Sequence, residues 1–204
     1  MNSGRYIDFY LDFTSPYAYL ASTQIEALAA RYDYTVVWRP FLIGATFKIT
    51  GRKALAQHPL VWEYSLDDVR RTARLLGQTI NIPVKFPILS VKAGRLFYYF
   101  QDRDANQIIA KQFAAAVFQA YFIEQKDITD NHVLAQIVAS YGVDAAGLEE
   151  IVKSAEMKTR FKAEVDAALE RKVFGAPMVI VDGEMFWGVD KLEQLAMWLQ
   201  TGGW

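Results

Sequence analysis

No cysteine occurs anywhere in the 204 residues of this chain. That absence excludes disulfide exchange, a protein thiolate as nucleophile and a zinc–thiolate centre on the chain itself, and it suits a reducing compartment. Histidine is almost as scarce: His58 and His132 are far apart in sequence and lack the partners of a metal site or a Ser-His-Asp set. No stretch reaches the ~18 apolar residues expected of a membrane-crossing helix. Arg5 and Asp8 interrupt "MNSGRYIDFYLDF", where the apolar core of a signal peptide would lie. An excess of charge is missing too. The 22 Lys and Arg against 23 Asp and Glu leave a net charge of −1, which gives no electrostatic case for nucleic acid or an anionic membrane surface. These absences lead to the expectation of a cytoplasmic protein with no metal, membrane or nucleic-acid partner.

What is present is apolar and aromatic. Apolar residues make up 52% and aromatics 14%, enough to exclude disorder, and the length suits one core with a sizeable insertion. Residues 5–13 ("RYIDFYLDF") read as a buried strand, and Ser15-Pro16 as a helix start with Ser as N-cap and Pro at the first helical position. The helix is expected to continue through "YAYLASTQIEALAARY", with a second strand at 35–41 ("TVVWRPF"). Helical periodicity then fills about a hundred residues: 65–77, opened by Ser65 and Asp68 in capping-box spacing, then 95–124, 129–142, 144–154 and 156–173. Strand signals return in "APMVIVDGEMFWG" (176–188), where Asp182-Gly183 marks a hairpin, before a closing amphipathic helix over 189–200. The order β-α-β, helical block, β-β-α is a thioredoxin-type α/β layout. It predicts a thioredoxin-like domain from 1–45 and 174–204 with a helical domain, 46–173, inserted between its halves.

Three positions can carry chemistry in that layout. Ser15 stands at a strand-to-helix junction, where free N–H groups and the positive helix end face outward; a plain helix cap is the alternative. Pro177 follows Ala176 at the start of a strand. On local grounds it is a trans strand opener. In this layout it faces the Ser15 junction as a cis-proline, leaving the Ala176 main chain to pair with an extended peptide. Gly188, Val189 and Asp190 lie at a helix start, where N–H groups suit a carboxylate and Asp190 suits an ammonium, or Asp190 is simply a cap. Such a slot suits glutathione, with its thiol at Ser15. A serine hydrogen bond and a helix end together contribute ~0.3–1 kcal/mol, at most ~2. That lowers a thiol titrating near ~8.5 by up to about one and a half units.

The pieces "YIDFYLDFTSPYAYLAS", "WRPFLIGATFKITGRK" and "FGAPMVIVDGEMFWGVDKLEQL" resemble the 2-hydroxychromene-2-carboxylate isomerases and the kappa-class glutathione transferases, both within the DsbA-like thioredoxin branch. Ser15, Pro16, Tyr17 and Ala18 occupy the places of that branch's C-P-x-C motif. The resemblance implies a DsbA-like fold and sulfur contact by Ser15. It also implies main-chain pairing at Ala176 beside cis-Pro177, and binding of the γ-glutamyl head by Gly188–Asp190. It further implies a homodimer acting on a small aromatic oxo acid. The implied reaction interconverts 2-hydroxychromene-2-carboxylate and trans-o-hydroxybenzylidenepyruvate by reversible addition of the glutathione thiolate. The alternatives are a kappa-like transferase or peroxidase, and a redox-inactive DsbA-like peptide-binding protein.

Two features depart from the family. Arg52 stands where relatives have an asparagine in a G-N-K/R-P-P type stretch, and Leu60-Val61 where the kappa group has a basic pair. Arg52 is expected to bind the pyruvate carboxylate bidentately, with Lys48 or Lys53 assisting. Phe41, Phe47, Trp62 and Phe86 are expected to wall an aryl substrate. The Arg70, Arg71 and Arg74 cluster, at helical spacing from Asp67 and Asp68, reads as a solvated face.

Overall fold

The computed structural model describes residues 5–204. Four strands form one sheet in the order β2-β1-β3-β4: β1 (Arg5–Leu11), β2 (Tyr34–Pro40), β3 (Met178–Val181) and β4 (Glu184–Trp187). β1 runs parallel to β2 and antiparallel to β3, which pairs antiparallel with β4. The central strand is buried over most of its length, with Ile7, Phe9 and Leu11 fully enclosed, as its near-continuous apolar run requires. Both turn residues of the β3–β4 hairpin, Asp182 and Gly183, have positive φ (52° and 89°), the conformation that makes Asp-Gly the preferred two-residue connection.

The expected single helix after Ser15 is two: α1 (Pro16–Ser22) and α2 (Ile25–Ala30). At the break Ser22 and Thr23 turn their hydroxyls back onto the carbonyls of Tyr19 and Leu20 (2.6 and 2.8 Å), the local competition that bends helices at such residues. Between β2 and β3 the chain is helical: α3 (Ile43–Thr50), α4 (Pro59–Leu75), α5 (Val91–Gln101), α6 (Ile108–Phe122), α7 (Asn131–Ala139), α8 (Ala145–Lys153) and α9 (Ala155–Glu170). After β4 a single 3-10 turn (Val189–Lys191) leads into α10 (Leu192–Thr201). The capping-box reading at Ser65 is corrected. α4 starts six residues earlier on Pro59, and Ser65 is buried mid-helix with its hydroxyl on Val61 O at 2.6 Å. Proline at the first helical position needs no side-chain cap to begin a helix.

Aromatic side chains join the helices to the sheet. Phe13 beyond β1 packs on Phe118 of α6 (ring centroids 5.4 Å apart), and Tyr19 of α1 stacks on Phe122 (5.6 Å). The outer edge of β2 is capped by side chains. Gln107 accepts from Trp38 N (2.9 Å) and donates to Trp38 O (3.1 Å), and Lys111 Nζ donates to Val36 O (2.7 Å). Those bonds satisfy groups that would otherwise invite another strand.

Candidate active site

β1 ends at Leu11, and the chain turns through Asp12–Thr14 to place Ser15 at the N-terminus of α1. Ser15 does serve as the N-cap: its Oγ accepts from Ala18 N at 3.1 Å, with Pro16 at the first helical position. The same hydroxyl donates to Ala176 O at 2.9 Å, across the sheet edge. Capping therefore does not exhaust this side chain; it also joins the two halves of the candidate slot.

Ala176–Pro177 is cis, and both residues are buried. Ala176 N–H has no hydrogen-bond acceptor among the described residues. The Gly188 N–H donates to Pro177 O at 3.0 Å, which brings the start of the last helical segment against the proline. Val189 is buried, whereas the Asp190 side chain is exposed and folds back over Gly188. Asp190 is not a helix cap: Gly188 occupies that place, and Asp190 lies inside the 3-10 turn. Lys191 Nζ is 3.4 Å from its carboxylate.

Glutathione fits the donor set here. A free amide N–H at Ala176 can pair with a peptide carbonyl, and the Ala176 carbonyl, though already bonded to Ser15, keeps a second lone pair. The outward carboxylate of Asp190 suits an ammonium. Ser15's hydroxyl is a rotor that can turn from Ala176 O toward a sulfur while Ala18 N–H continues to donate to it.

Beneath the slot lies a residue that sequence reasoning passed over. Asp12 is buried and faces no cation. Its Oδ1 accepts from Thr14 N (2.9 Å), Thr14 Oγ1 (2.9 Å) and Ser90 Oγ (2.8 Å), and its Oδ2 from Ile43 N (2.8 Å). Its backbone carbonyl accepts from Ser15 N at 2.9 Å. One carboxylate thus ties the Ser15 turn to the starts of α3 and α5. The signal was present as an acid closing an apolar strand two residues before a threonine, a spacing suited to an Asx turn.

Tyr17 leans toward α4, its hydroxyl donating to Asp68 Oδ2 at 2.7 Å. Burial, then the hydrogen bond and charge of Asp68, raise its phenol well above the usual range, so it stays a neutral donor. Asp68 also pairs with Arg71 (3.0 Å) and Asp67 with Arg70 (3.5 Å); Asp67, Arg70 and Arg71 are exposed as expected of a solvated face, but Asp68 is half-buried under Tyr17 and is not part of it.

The residues expected to hold substrate are scattered. Arg52 is exposed at the backbone after α3, with its guanidinium carbon 5.0 Å from the Trp187 ring centroid and 5.3 Å from that of Phe174. Lys48 is exposed in the last turn of α3, and Phe47 is half-buried. Trp62 stacks on Phe86 (5.0 Å, 10° between planes), which in turn stacks on Tyr121 (6.5 Å). No recorded bond or ring contact joins Phe47, Lys48 or Trp62 to Ser15. Phe41 is no wall residue: it is buried against Tyr10 in the core. The sequence reading did not foresee the cis bond at Phe86–Pro87 or the role of Trp187 beneath Arg52. Among the described residues no three His, Asp or Glu side chains converge as metal ligands, and no helix is long and apolar enough to cross a membrane.

Comparison with known proteins agrees with this architecture. The 2-hydroxychromene-2-carboxylate isomerase of Sphingobium xenophagum is 29% identical over 195 residues, covering 95% of this chain and 97% of that protein. Human glutathione S-transferase kappa 1 is 26% identical, covering 94% of this chain and 89% of its own. A solved 2-hydroxychromene-2-carboxylate isomerase superposes with a TM-score of 0.85 at 27% identity, covering 96% of this chain and 94% of that one. The model of the DSBA-like thioredoxin domain matches residues 6–200, and with the sheet order and the Ser15–Ala176 junction in view, the chain belongs to that family.

Proposed function

We propose that this protein is a glutathione-dependent isomerase that interconverts 2-hydroxychromene-2-carboxylate-type compounds and trans-o-hydroxybenzylidenepyruvate. The observation that carries the reading is the Ser15 Oγ–Ala176 O bond beside cis-Pro177, in a chain similar over nearly its whole length to named isomerases. Bound glutathione supplies a thiolate that adds reversibly to a conjugated double bond, so that rotation can follow. The chain's own part is to bind and orient. Ala176 N–H and C=O pair with the cofactor's main chain, Val189 presents its backbone N–H beside Gly188, whose own N–H is held by Pro177 O, and the Asp190 carboxylate takes the ammonium. Ser15 turns its hydroxyl to the sulfur, at a helix end worth ~0.3–1 kcal/mol to a negative charge. Arg52 is assigned to substrate, with Lys48, Phe47 and Trp62 as outer contacts. The proposal includes a thioredoxin-like unit of residues 1–45 and 174–204 carrying a helical insertion of 46–173, assembled as a cytoplasmic homodimer.

A second reading has support from the kappa-class relatives: the same thiolate would instead leave in a stable conjugate, or reduce a peroxide. The test is calorimetric titration of glutathione into wild type and Ser15→Ala, with thiol ionisation followed near 240 nm, then turnover of a chromene carboxylate. Isomerase activity predicts a Ser15-dependent thiolate signal and no net consumption of glutathione. Consumption with a stable thioether moves the transferase reading to the front. Absence of binding at millimolar glutathione, with affinity for unfolded peptides, moves a peptide-binding role there.

A further inference from the structure

Arg52 is exposed, yet it is not a free surface cation. Its guanidinium lies over two rings at once, Trp187 and Phe174, and those rings meet edge to face with centroids 4.9 Å apart. Trp187 is itself seated on Gly175. A Cβ built there would lie 2.4 Å from the indole Nε1 and 2.9 Å from Cε2, so the indole sits where only glycine leaves space. Gly175 immediately precedes Ala176, and Trp187 immediately precedes Gly188, the residue bonded to Pro177. Phe174 is two residues from Ala176, a span of at most ~7 Å. The shelf Gly175–Trp187–Phe174 therefore stands at the rim of the slot, between the two segments assigned to the cofactor.

The two ring planes stand 68° apart, so the guanidinium sits against the corner they form, and the N–H donors on its outer side face away from that corner. Among the described residues none of those donors is engaged: Arg52 takes part in no ion pair and no side-chain hydrogen bond, although the chain holds many acidic groups. An arginine held against two aromatic rings and unpaired on its outer side is a positioned receptor for a planar anion, and a carboxylate matches it with two parallel hydrogen bonds.

We propose that Arg52 is a carboxylate-binding residue of the slot, and that Trp187, seated on Gly175, is the positioning residue that holds its guanidinium in place. This rests on the functional reading above for the identity of the ligand. On that reading two ligand carboxylates are candidates for this rim, the glycyl end of glutathione and the acid group of an aryl oxo acid, and either has the required chemistry. Lysine at position 52 would keep the charge but not the planar fork, and so would not reproduce the site.

The experiment uses two pairs of probes on the full chain: glutathione against its glycyl monoethyl ester, and phenylpyruvate against phenylpyruvamide. Affinity is read by calorimetry, and the Trp187 and Arg52 side-chain N–H resonances by ¹⁵N NMR. The proposal expects wild type to prefer the free carboxylate in one pair by about five-fold, the upper range for a partly exposed pair. It expects that preference to vanish in Arg52→Ala and Arg52→Lys. It also expects the preference to fall in Trp187→Leu and Gly175→Ala, where Arg52 is still present, and to return in Trp187→Phe. Preference in the first pair assigns the site to the cofactor, and in the second to substrate. If glutathione fails to bind while phenylpyruvate is preferred and shifts Arg52, the cofactor reading falls and the carboxylate site stands. If wild type shows no preference in either pair, or the preference survives Arg52→Ala, the proposal is overturned. A preference untouched by Trp187→Leu in folded protein overturns the positioning role.

Discussion

At the slot, Ser15, Ala176 and Pro177 are buried; Ser15 Oγ bonds to Ala176 O, and Ala18 N and Gly188 N bond to Ser15 Oγ and Pro177 O, all at 2.9–3.1 Å. Along the neighbouring stretch from Ile49 to Tyr64, Ile49, Leu55, Leu60, Val61 and Tyr64 are exposed, as are Lys48 and Arg52. Both regions belong to the candidate site, but different forces shape them. Slot geometry is set by backbone groups that must be satisfied once buried, so few residues can change without moving others. The rim is held mainly by side chains: Trp62 lies on Phe86, Arg52 lies over Trp187 and Phe174, and Lys85 and Tyr121 tie down the segment that carries Phe86. A fold can keep the first region and revise the second. The sequence resemblance places this chain's departures from the family pattern there, at Arg52 and at Leu60-Val61.

If that contrast is right, substitutions beneath the slot cost far more than those on the rim. Asp12→Ala is the largest expected effect. It leaves the N–H groups of Thr14 and Ile43 and the hydroxyl of Ser90 without their acceptor, and unsatisfied buried groups cost ~1–3 kcal/mol each before relaxation. A loss of about 3 kcal/mol in urea unfolding is expected, against under ~0.5 kcal/mol for Lys48→Ala on the exposed last turn of α3. Comparable losses from the two would remove the distinction.

Ser15→Ala comes next and separates the hydroxyl's two tasks. Loss of the cap costs about 1 kcal/mol of stability, and loss of the hydroxyl's hydrogen bond to sulfur about 10²-fold in turnover, as for one preorganised donor. Ser15→Gly keeps most of the capping preference, within about a few tenths of a kcal/mol of serine, and has no hydroxyl to offer Ala176 or a sulfur, so it should recover stability without activity. Recovery of both would reduce Ser15 to a helix cap.

How much of this was legible follows the same line. Ser15-Pro16 and Asp182-Gly183 carry strong local signals, and the helix start and turn they mark are where the sequence places them, whereas Pro177, locally a trans strand opener, is cis as only the layout implied. α4 shows the opposite case. Ser65 and Asp68 had the right spacing for a helix start, but Pro59 had already begun the helix, and Asp68 serves Tyr17 from another element. Asp12 and Trp187 were missed because their meaning depends on partners distant in sequence: Ile43 and Ser90 for the first, Arg52 and Gly175 for the second. Local chemistry announces itself in one sequence, whereas convergence of distant segments does not.

Tyr17→Phe tests the tie between slot and helical segment with a smaller effect. It deletes the 2.7 Å bond to Asp68, a carboxylate still paired with Arg71, so about 1 kcal/mol is expected. Because Tyr17 remains protonated to high pH, the activity profile of Tyr17→Phe should keep its shape below pH 9, with only its height altered. A shifted profile would give the phenol a proton-transfer role.

The smallest effect is expected where the rim is anchored. Lys85 Nζ pairs with Asp127, and Lys85 O accepts from Tyr121 OH at 3.1 Å, fixing the segment that carries Phe86 under Trp62. Burial by itself raises the Asp127 carboxyl. The Lys85 ammonium and the two bonds from Thr129 together outweigh it and hold the group at about 2, below its ordinary ~3.9. A carboxyl depressed in the folded state stabilises above its unfolded pKa, and that stabilisation is lost as pH falls from ~4 toward 2. Lys85→Met removes the cation, so wild type and variant should differ by under ~1 kcal/mol near pH 6, since the lysine is largely exposed. The difference should shrink steadily below pH 4. Urea midpoints at pH 6, 4 and 2.5 would show it, and a gap unchanged across that range would mean that Lys85 acts through packing of its stem and not through charge. Turnover at pH 7 should stay within about two-fold of wild type, since the proposed catalytic part is the slot and an exposed pair contributes little. A larger loss would mean that the Trp62–Phe86 stack orders the site as strongly as the bonds around Ser15.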